Sequence, residues 1–299
     1  MNITTPQNAV FIEGTSSTVF LEFRINPNID LAKLKKSLIK VYEMNSDQLY
    51  VLISFSKAGY QNLGAPAPEG LMDFETLKGV KNLSMPSSQS EVFIWAHSHS
   101  KSVIIDFLMK SKMTLEGLLT IEIEQEGFRY HDSRDLTGFV DGSANPKGEN
   151  RQEEMLIPGG QAHEKGTFVI TQIWKHNLSA FHGHQVEEQE QIIGRTKEDS
   201  IELEGEAMPN NSHVSSVDLK VDGEAMKIYR RSYPFANTSD KGLFFLGFSK
   251  SIQRFDVQLK SMLGLSDDGI SDRLMDFSTP ETGSYYFAPS ENELLKILS

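Results

Sequence analysis

Two pairs of histidines have the spacing that places both side chains on one face of a strand. They are His97 with His99, and His182 with His184. Residues two apart in a strand share a face, and imidazole is a common metal ligand. Both pairs nevertheless lie near predicted element ends in polar surroundings, where the sequence places no third ligand. We therefore expect neither pair to hold a metal ion.

His213 and Arg230 form a second kind of candidate. His213 follows the turn at residues 209–212 and is predicted to enter a strand, and Arg230 ends the return strand of the same hairpin. Asp222-Gly223, between them, is a strong signal for a two-residue hairpin loop. A histidine and an arginine at one end of a sheet can face a common cavity. Taken alone, however, the pair is better interpreted as a surface histidine and an arginine in an ordinary salt bridge.

Composition and missing motifs exclude several classes of function. The chain has no cysteine, so disulfides, iron–sulfur clusters, thiolate-bound haem and cysteine nucleophiles are all excluded. There is no zinc-protease HExxH, no phosphate-binding P-loop and no GxSxG nucleophile turn, so hydrolase and nucleotide-binding functions have no positive support.

Charge bears on the partners. Lys plus Arg number 29 and Asp plus Glu number 41, a formal net charge of −12. An acidic chain repels phosphate groups, so we expect neither a nucleic-acid partner nor an anionic membrane surface. Residues 1–14 lack a basic region followed by an apolar run, so we expect no signal peptide and a cytoplasmic location.

The elements that must position these residues repeat in two halves. The first half has predicted strands at 18–25, 49–55, 91–96 and 118–124, with helices at 30–42 and 101–112. The second has predicted strands at 166–174, 215–221, 224–230, 242–248 and 285–288, with helices at 186–195 and 252–263. The repeated βαββαβ order predicts an α+β fold of tandem ferredoxin-like units, with antiparallel sheets and peripheral helices. We place the N-terminal domain at 1–127 and the C-terminal domain at 128–299.

Six segments, in order along the chain, resemble those of a known family. Residues 132–146, DSRDLTGFVDGSANP, resemble the hallmark segment of the dye-decolorizing peroxidases, which are haem peroxidases with a tandem ferredoxin-like fold. The short loops and the length resemble the compact bacterial branch of that family. The other five matching segments are residues 191–197, 212–214, 228–235, 242–248 and 276–283.

The resemblance implies one haem b per chain and a set of catalytic roles. His213 is then the axial iron ligand, and Asp276 is the carboxylate that accepts its other N–H and strengthens its donation to iron. On the opposite face, Asp141 is the proton shuttle and Arg230 stabilises negative charge as the peroxide bond breaks. Ser232, two residues after Arg230 on a strand, shares its face and is expected to hold a water molecule.

The resemblance also implies how the haem itself is held. Arg195 is the expected partner of a haem propionate, helped by Asn145 and by the backbone of Gly142 and Ser143. Apolar side chains are expected to form the walls of the haem pocket, although ordinary core positions remain an equal alternative for each of them. These are Phe245, Phe248, Leu259 and Met262.

Three functions are candidates for a chain with these residues. The favoured one is a haem-dependent peroxidase that reduces hydrogen peroxide with electrons from a small-molecule reductant, and so oxidises dyes, phenolic or porphyrin-type substrates. The second is a haem- or porphyrin-handling protein with incidental peroxidase activity. The third, an interaction module that has lost its cofactor, is disfavoured because Asp141, His213 and Arg230 are all present. We also expect a homo-oligomer, a dimer or larger.

Overall fold

The computed structural model describes residues 4–299, and its N-terminal half follows the predicted order closely. Helix α1 begins where predicted, because Asp30 precedes it and its side chain accepts the N–H of Lys33 at 3.1 Å. The elements of this half are β1 (Ser17–Ile25), α1 (Leu31–Tyr42), β2 (Tyr50–Phe55), α2 (Lys57–Asn62), β3 (Leu77–Lys78), β4 (Ser84–Met85), β5 (Val92–Ser98), α3 (Lys101–Leu115) and β6 (Leu119–Phe128).

The C-terminal half contains more short elements than predicted. Its strands are β7 (Thr167–His176), β8 (Lys220–Val221), β9 (Glu224–Ala225), β10 (Tyr229–Arg230), β11 (Tyr233–Ala236), β12 (Lys241–Ser249), β13 (Ser278–Pro280) and β14 (Ser284–Ala288). Its helices are α4 (Asn150–Met155), α5 (Leu178–His182), α6 (Val186–Ile193), α7 (His213–Val217), α8 (Gln253–Met262) and α9 (Glu291–Leu298). Single 3₁₀ turns occur at Asn8–Val10, Val80–Asn82, Gly205–Ala207 and Arg273–Asp276.

The predicted α+β class with tandem ferredoxin-like units is confirmed. The main sheet has ten strands in the order β10-β12-β7-β14-β2-β5-β1-β6, with β11 also on β12 and β13 on β7, and its pairings are antiparallel. The two halves join into one sheet through a single bridge between Phe287 of β14 and Phe55 of β2. The proposed domain boundary after residue 127 falls at the end of β6.

Each sheet face packs into its own core. Along β1, Val19 and Leu21 pack among helix residues, whereas Phe20 packs among strand residues of both halves. The ring of Phe20 stacks on that of Phe244 with 3.8 Å between centroids, so strand faces from the two halves pack against each other. Helices α1, α3, α8 and α9 pack on the other faces, whereas α4 contributes Met155 to the core between the strand faces. None of the helices within residues 4–299 combines the length and apolar character needed to cross a bilayer.

The segment that contains His213 differs from the prediction. Residues 215–221 were predicted as a strand, but His213 begins the short helix α7. The reason is local, because the Ser212 side chain accepts the N–H of Ser215 at 3.2 Å and so caps a helical turn. The hairpin at Asp222-Gly223 exists, with positive φ at both residues, yet each of its strands is only two residues long.

Candidate active site

A cavity of about 210 Å³, here called the main cavity, lies between the C-terminal sheet and helices α7 and α8. Its walls come from β7, β12, α7, α8 and the loop at residues 135–145. Nine of the predicted site residues line it: Asp141, Ser143, Asn145, Arg195, His213, Arg230, Phe245, Leu259 and Met262. The structure therefore brings together side chains that are up to 121 positions apart in the sequence, from Asp141 to Met262.

His213 is held by a buried carboxylate. Its Nδ1 lies 2.7 Å from Oδ2 of Asp272, whose side chain is 0% exposed. The other oxygen of Asp272 accepts the N–H of Leu274 at 2.8 Å. An ionised carboxylate only accepts hydrogen bonds, so the proton of the neutral imidazole sits on Nδ1 and the lone pair is on Nε2. His213 is thereby prepared to bind a metal through Nε2.

The prediction that Asp276 is the carboxylate partner of His213 is wrong. Asp276 is exposed, whereas Asp272 makes the contact to His213. Asp272 caps the 3₁₀ turn Arg273–Asp276. A 3₁₀ helix has three residues per turn, so two positions four residues apart point to different sides. Asp272 therefore faces α7 while Asp276 faces solvent.

A glycine lets α7 approach its neighbour closely. Gly194 ends α6 in the left-handed conformation with φ of +93°. A Cβ at this position would lie 2.9 Å from Cβ of Val214 and 3.0 Å from Oγ of Ser212. Only glycine avoids both the backbone strain and the contact with the segment that carries His213. Arg195 follows directly, donates to the carbonyl of Ser200 at 3.0 Å and pairs with Glu202.

Asp141 and Arg230 face each other within the lining of the main cavity. Nε of Arg230 lies 3.7 Å from Oδ1 of Asp141, and the two side chains are 18% and 21% exposed respectively. At this distance they attract each other without a direct hydrogen bond, so both keep hydrogen-bonding capacity for a third molecule. The neighbouring Arg231 points away and donates to the carbonyl of Val10 at 2.6 Å. Of the two neighbouring arginines, Arg230 is therefore the one that lines the main cavity.

Asn145 binds the backbone of Arg230 from the opposite side of the loop. Its Nδ2 donates to the carbonyl of Arg230 at 2.8 Å, and its Oδ1 accepts the N–H of Arg230 at 2.9 Å. Gly142, with φ of +73°, makes room for it, since a Cβ there would lie 2.9 Å from Nδ2 of Asn145. The same loop is fixed by Arg134, which donates to the carbonyls of Gly138 and Glu198, each at 2.9 Å.

Two polar residues of the main cavity were missed by the sequence analysis. Nε2 of His176 lies 3.1 Å from Oδ1 of Asp135, and Nδ1 lies 2.8 Å from Oγ of Ser278. Burial raises the pKa of Asp135, but the charge and hydrogen bond of His176, with hydrogen bonds from Thr137, outweigh it and lower the pKa to about 2. The alternation of side chains along β7 could have predicted His176, because it lies two positions from Trp174, which also lines the main cavity, and so points to the same face.

Phe248 is not a wall of the main cavity. It is fully buried in the core formed by strands of both halves, together with Phe244 and Leu246. Phe245 does line the cavity, and residues an odd number of positions apart on a strand point to opposite faces. The prediction placed both phenylalanines in one wall and is wrong for Phe248.

The remaining predicted residues, Gly142 and Ser232, line a second cavity. It has a volume of about 430 Å³ and shares Asp141, Asn145 and Arg230 with the main cavity. We call this second cavity the vestibule. Ser232 accepts a long hydrogen bond from the N–H of Leu246, at 3.4 Å. Its expected role of holding water stays a prediction.

Comparison with family models covers nearly the whole chain. The model described as Dyp-type peroxidase, N-terminal, matches residues 7–129, and that described as Dyp-type peroxidase, C-terminal, matches residues 132–293. A dye-decolorizing peroxidase of Mycolicibacterium paratuberculosis is 33% identical over 75% of this chain, and the match spans 64% of that relative. A deferrochelatase of Escherichia coli is a more distant relative, 20% identical over 88% of this chain and 70% of its own length.

Solved structures agree with the family models. A dye-decolorizing protein from Vibrio cholerae is 35% identical and has a TM-score of 0.89, covering 97% of this chain and 99% of its own. A DypB variant from Rhodococcus jostii, described as in complex with heme, is 28% identical with a TM-score of 0.90, covering 98% of each chain. Since both family models match, one to each half of the sequence, the chain belongs to the Dyp-type peroxidase family.

Proposed function

We propose that this protein is a haem-dependent peroxidase that reduces hydrogen peroxide and oxidises small-molecule donors, including dyes, phenolic or porphyrin-type compounds. One observation carries the proposal. The main cavity has His213, oriented by Asp272, on one wall and the facing pair Asp141 and Arg230 on another. The first can bind iron, and the second can transfer a proton and stabilise negative charge.

The residues of the main cavity fit a haem. Among residues 4–299 no group of three or more His, Cys, Asp or Glu side chains could hold a metal ion, so His213 would act as a single protein ligand. A single histidine suits a macrocycle that brings its own four nitrogen ligands. Phe245, Leu259 and Met262 supply apolar wall for the ring, and Arg195 supplies a cation for its carboxylates.

Each residue of the site then has a separate role in the reaction with peroxide. When bound, haem supplies an iron that stores the oxidising equivalents released by peroxide. Asp141 accepts a proton from the incoming peroxide and returns it to the departing oxygen, so that water leaves. Arg230, charged at every usable pH, stabilises the negative charge that develops as the O–O bond breaks. Asp272 holds the proton of His213 at Nδ1 throughout, which keeps Nε2 available.

The cofactor assignment is tested by removing the axial ligand. His213→Ala should lose stable haem binding or convert the absorption spectrum to that of a weakly ligated haem, because both ring nitrogens of His176, which also lines the main cavity, are engaged by Asp135 and Ser278. The exposed His99→Ala is the matched control and should keep the wild-type Soret band and turnover. A His213→Ala protein with the wild-type Soret band and peroxidase activity would refute the assignment.

The rate of phenol oxidation distinguishes a peroxidase from the alternative, a haem-handling protein. The facing pair Asp141 and Arg230 favours the peroxidase, since binding or transport of a porphyrin needs neither a proton shuttle nor a charge stabiliser at this position. A purified haem-loaded protein that oxidises phenols only at the rate of free haem would favour the alternative instead.

We also propose a homo-oligomer, a cytoplasmic location and a division of the chain into an N-terminal domain at 1–127 and a C-terminal domain at 128–299. The exposed residues Ile105, Met109 and Met113 recur every four positions on α3 and support self-association through an apolar stripe. Light scattering after size-exclusion chromatography tests the oligomer. Cell fractionation tests the location, and expression of the two halves as separate chains tests the domain boundary.

A further inference from the structure

Two ion pairs lie where the main cavity opens to solvent. Arg195 pairs with Glu202, and Lys227 pairs with Asp218 at 2.5 Å, and all four residues belong to the lining of the main cavity. The side chains of Glu202, Asp218 and Lys227 are 42%, 48% and 37% exposed, whereas Gln172 in the same lining is fully buried. We call the part of the cavity formed by these two ion pairs its mouth.

The cations of the mouth match the charged groups of a haem in number. Haem b carries two propionates, whose charges are costly to bury without a partner, so they belong at an exposed part of the cavity that supplies cations. Within residues 4–299, three lysine and arginine side chains line the main cavity: Arg195, Lys227 and Arg230. Arg230 faces Asp141, so Arg195 and Lys227 remain for the two propionates.

Helix α8 holds the main chain that carries Lys227. Arg254 donates to the carbonyl of Lys227 at 2.8 Å, and Gln258 donates to the carbonyl of Met226 at 2.6 Å. Both donors are buried, so the backbone of this segment is fixed beside the cavity. The ammonium of Lys227 lies at the end of a flexible four-carbon stem. Lys227 can therefore change its partner without movement of the backbone.

The pair of Lys227 with Asp218 lies at the far end of the helix that carries His213. His213 is the first residue of α7, and Asp218 directly follows the last. The five residues of α7 span about 7.5 Å at the usual rise per residue. This length is similar to that between the iron of a haem and its propionate groups. A haem whose iron is bound by His213 would therefore bring a propionate close to Lys227 and Asp218.

We propose that Lys227 exchanges Asp218 for a haem propionate, so that Lys227 is a cofactor-binding residue and Asp218 competes with the cofactor for it. This inference rests on the proposed haem cofactor and says how this chain retains it. Asp218 opposes binding in two ways, because it pairs with the same ammonium and its negative charge repels the propionate. Lys227 lengthens the lifetime of the bound haem, and Asp218 shortens it.

The test measures the rate of haem transfer from each protein to excess apomyoglobin, which is followed by absorption and needs no turnover. Lys227→Gln should release haem about three- to tenfold faster, because a charge pair at a partly exposed site has effects of this size. Asp218→Asn should release haem about two- to fivefold more slowly, since the competing charge is gone. A purely structural role of the ion pair would make both variants release haem faster.

Three controls isolate the charge of Lys227. Lys227→Arg keeps the positive charge and should release haem at close to the wild-type rate. Lys220→Gln removes the same charge from an exposed residue outside the cavity lining and should also match wild type. Haem dimethyl ester, whose propionates carry no charge, should leave wild type, Lys227→Gln and Asp218→Asn at equal rates. Circular dichroism verifies that all the variants are folded.

The outcomes separate this inference from the cofactor on which it rests. If Lys227→Gln does not release haem faster, or Asp218→Asn does not release it more slowly, the exchange is refuted while haem binding stands. The exchange is also refuted if Lys227→Gln releases haem dimethyl ester faster than wild type does. If the wild-type protein takes up no haem at all, the proposed function itself fails.

Discussion

Asn145 makes two hydrogen bonds to the backbone of one residue, Arg230, donating to its carbonyl at 2.8 Å and accepting its N–H at 2.9 Å. Asn145 lies four residues after Asp141 in the same loop. The contact therefore ties the loop that carries Asp141 to the strand end that carries Arg230. The two hydrogen bonds between the Asn145 side chain and the Arg230 main chain therefore hold Asp141 and Arg230 3.7 Å apart, since their own ion pair is weak.

Loss of the two hydrogen bonds between Asn145 and Arg230 should slow the reaction with peroxide without loss of haem. Asn145→Ala removes two hydrogen bonds, each with a net contribution of about 1 kcal/mol, and leaves two backbone groups of Arg230 without partners. We expect the rate constant for reaction with peroxide to fall by roughly tenfold, since misplacement of a charged group weakens its action on the transition state. Stopped-flow absorption at equal haem content measures it, and a wild-type rate would show that Arg230 is positioned by other contacts.

The correction from Asp276 to Asp272 gives a direct pair of variants. Asp272→Asn should weaken haem binding by about 10–100-fold, because removing the carboxylate that orients a ligating histidine has effects of that size. Asp276→Asn, four residues away and exposed, should leave haem binding unchanged. Haem transfer to an acceptor protein compares the two dissociation rates. Equal rates in both variants would contradict the assignment of Asp272.

Glu22 should make the free energy of unfolding depend on pH. It lies on β1, is 1% exposed, and accepts hydrogen bonds from Thr171 at 2.7 Å, Ser284 at 3.1 Å and Tyr286 at 2.7 Å, all in the C-terminal half. Burial raises the pKa of its carboxyl from 4.5 to about 7, against the lowering effect of these hydrogen bonds. The folded state thus keeps a proton that the unfolded chain releases above its ordinary pKa.

The sign follows from proton uptake. Between these two pKa values the folded protein binds more protons, so the contribution of Glu22 to stability is complete at low pH and is lost as pH rises through about 7. From about pH 5 to about pH 8, the free energy of unfolding should fall by roughly 2–3 kcal/mol relative to Glu22→Gln, which does not titrate. Urea denaturation of both proteins at the two pH values measures this difference. Parallel pH dependence in wild type and variant would show that Glu22 is not the titrating group.

Much of the fold was accessible from the sequence because it depends on local periodicity. Strand alternation located the main strands of both halves. The same rule, applied to β12, would have excluded Phe248 from the wall that contains Phe245. Short-range rules therefore predicted which face a side chain occupies, where the strand itself was predicted correctly.

Contacts between distant segments were not accessible. Asp272 and Asp276 lie in one short acidic segment, and only the packing of the 3₁₀ turn against α7 decides which of them reaches His213. The hydrogen bond between Asp135 and His176 joins residues 41 positions apart and depends on the path of the loop over β7. Such pairings are tertiary contacts that no periodic pattern encodes.

The facing pair carries the account of catalysis, and one measurement tests it most directly. It is the stopped-flow rate constant for reaction of hydrogen peroxide with the Asp141→Asn/Arg230→Leu protein, compared with wild type at the same haem content. Loss of a positioned proton acceptor costs about 10²–10⁴-fold, and loss of one charge-stabilising interaction costs about 10²–10³-fold. The account predicts a fall of at least about 10²-fold with the Soret band intact. A haem-loaded double variant that reacts at the wild-type rate would contradict it.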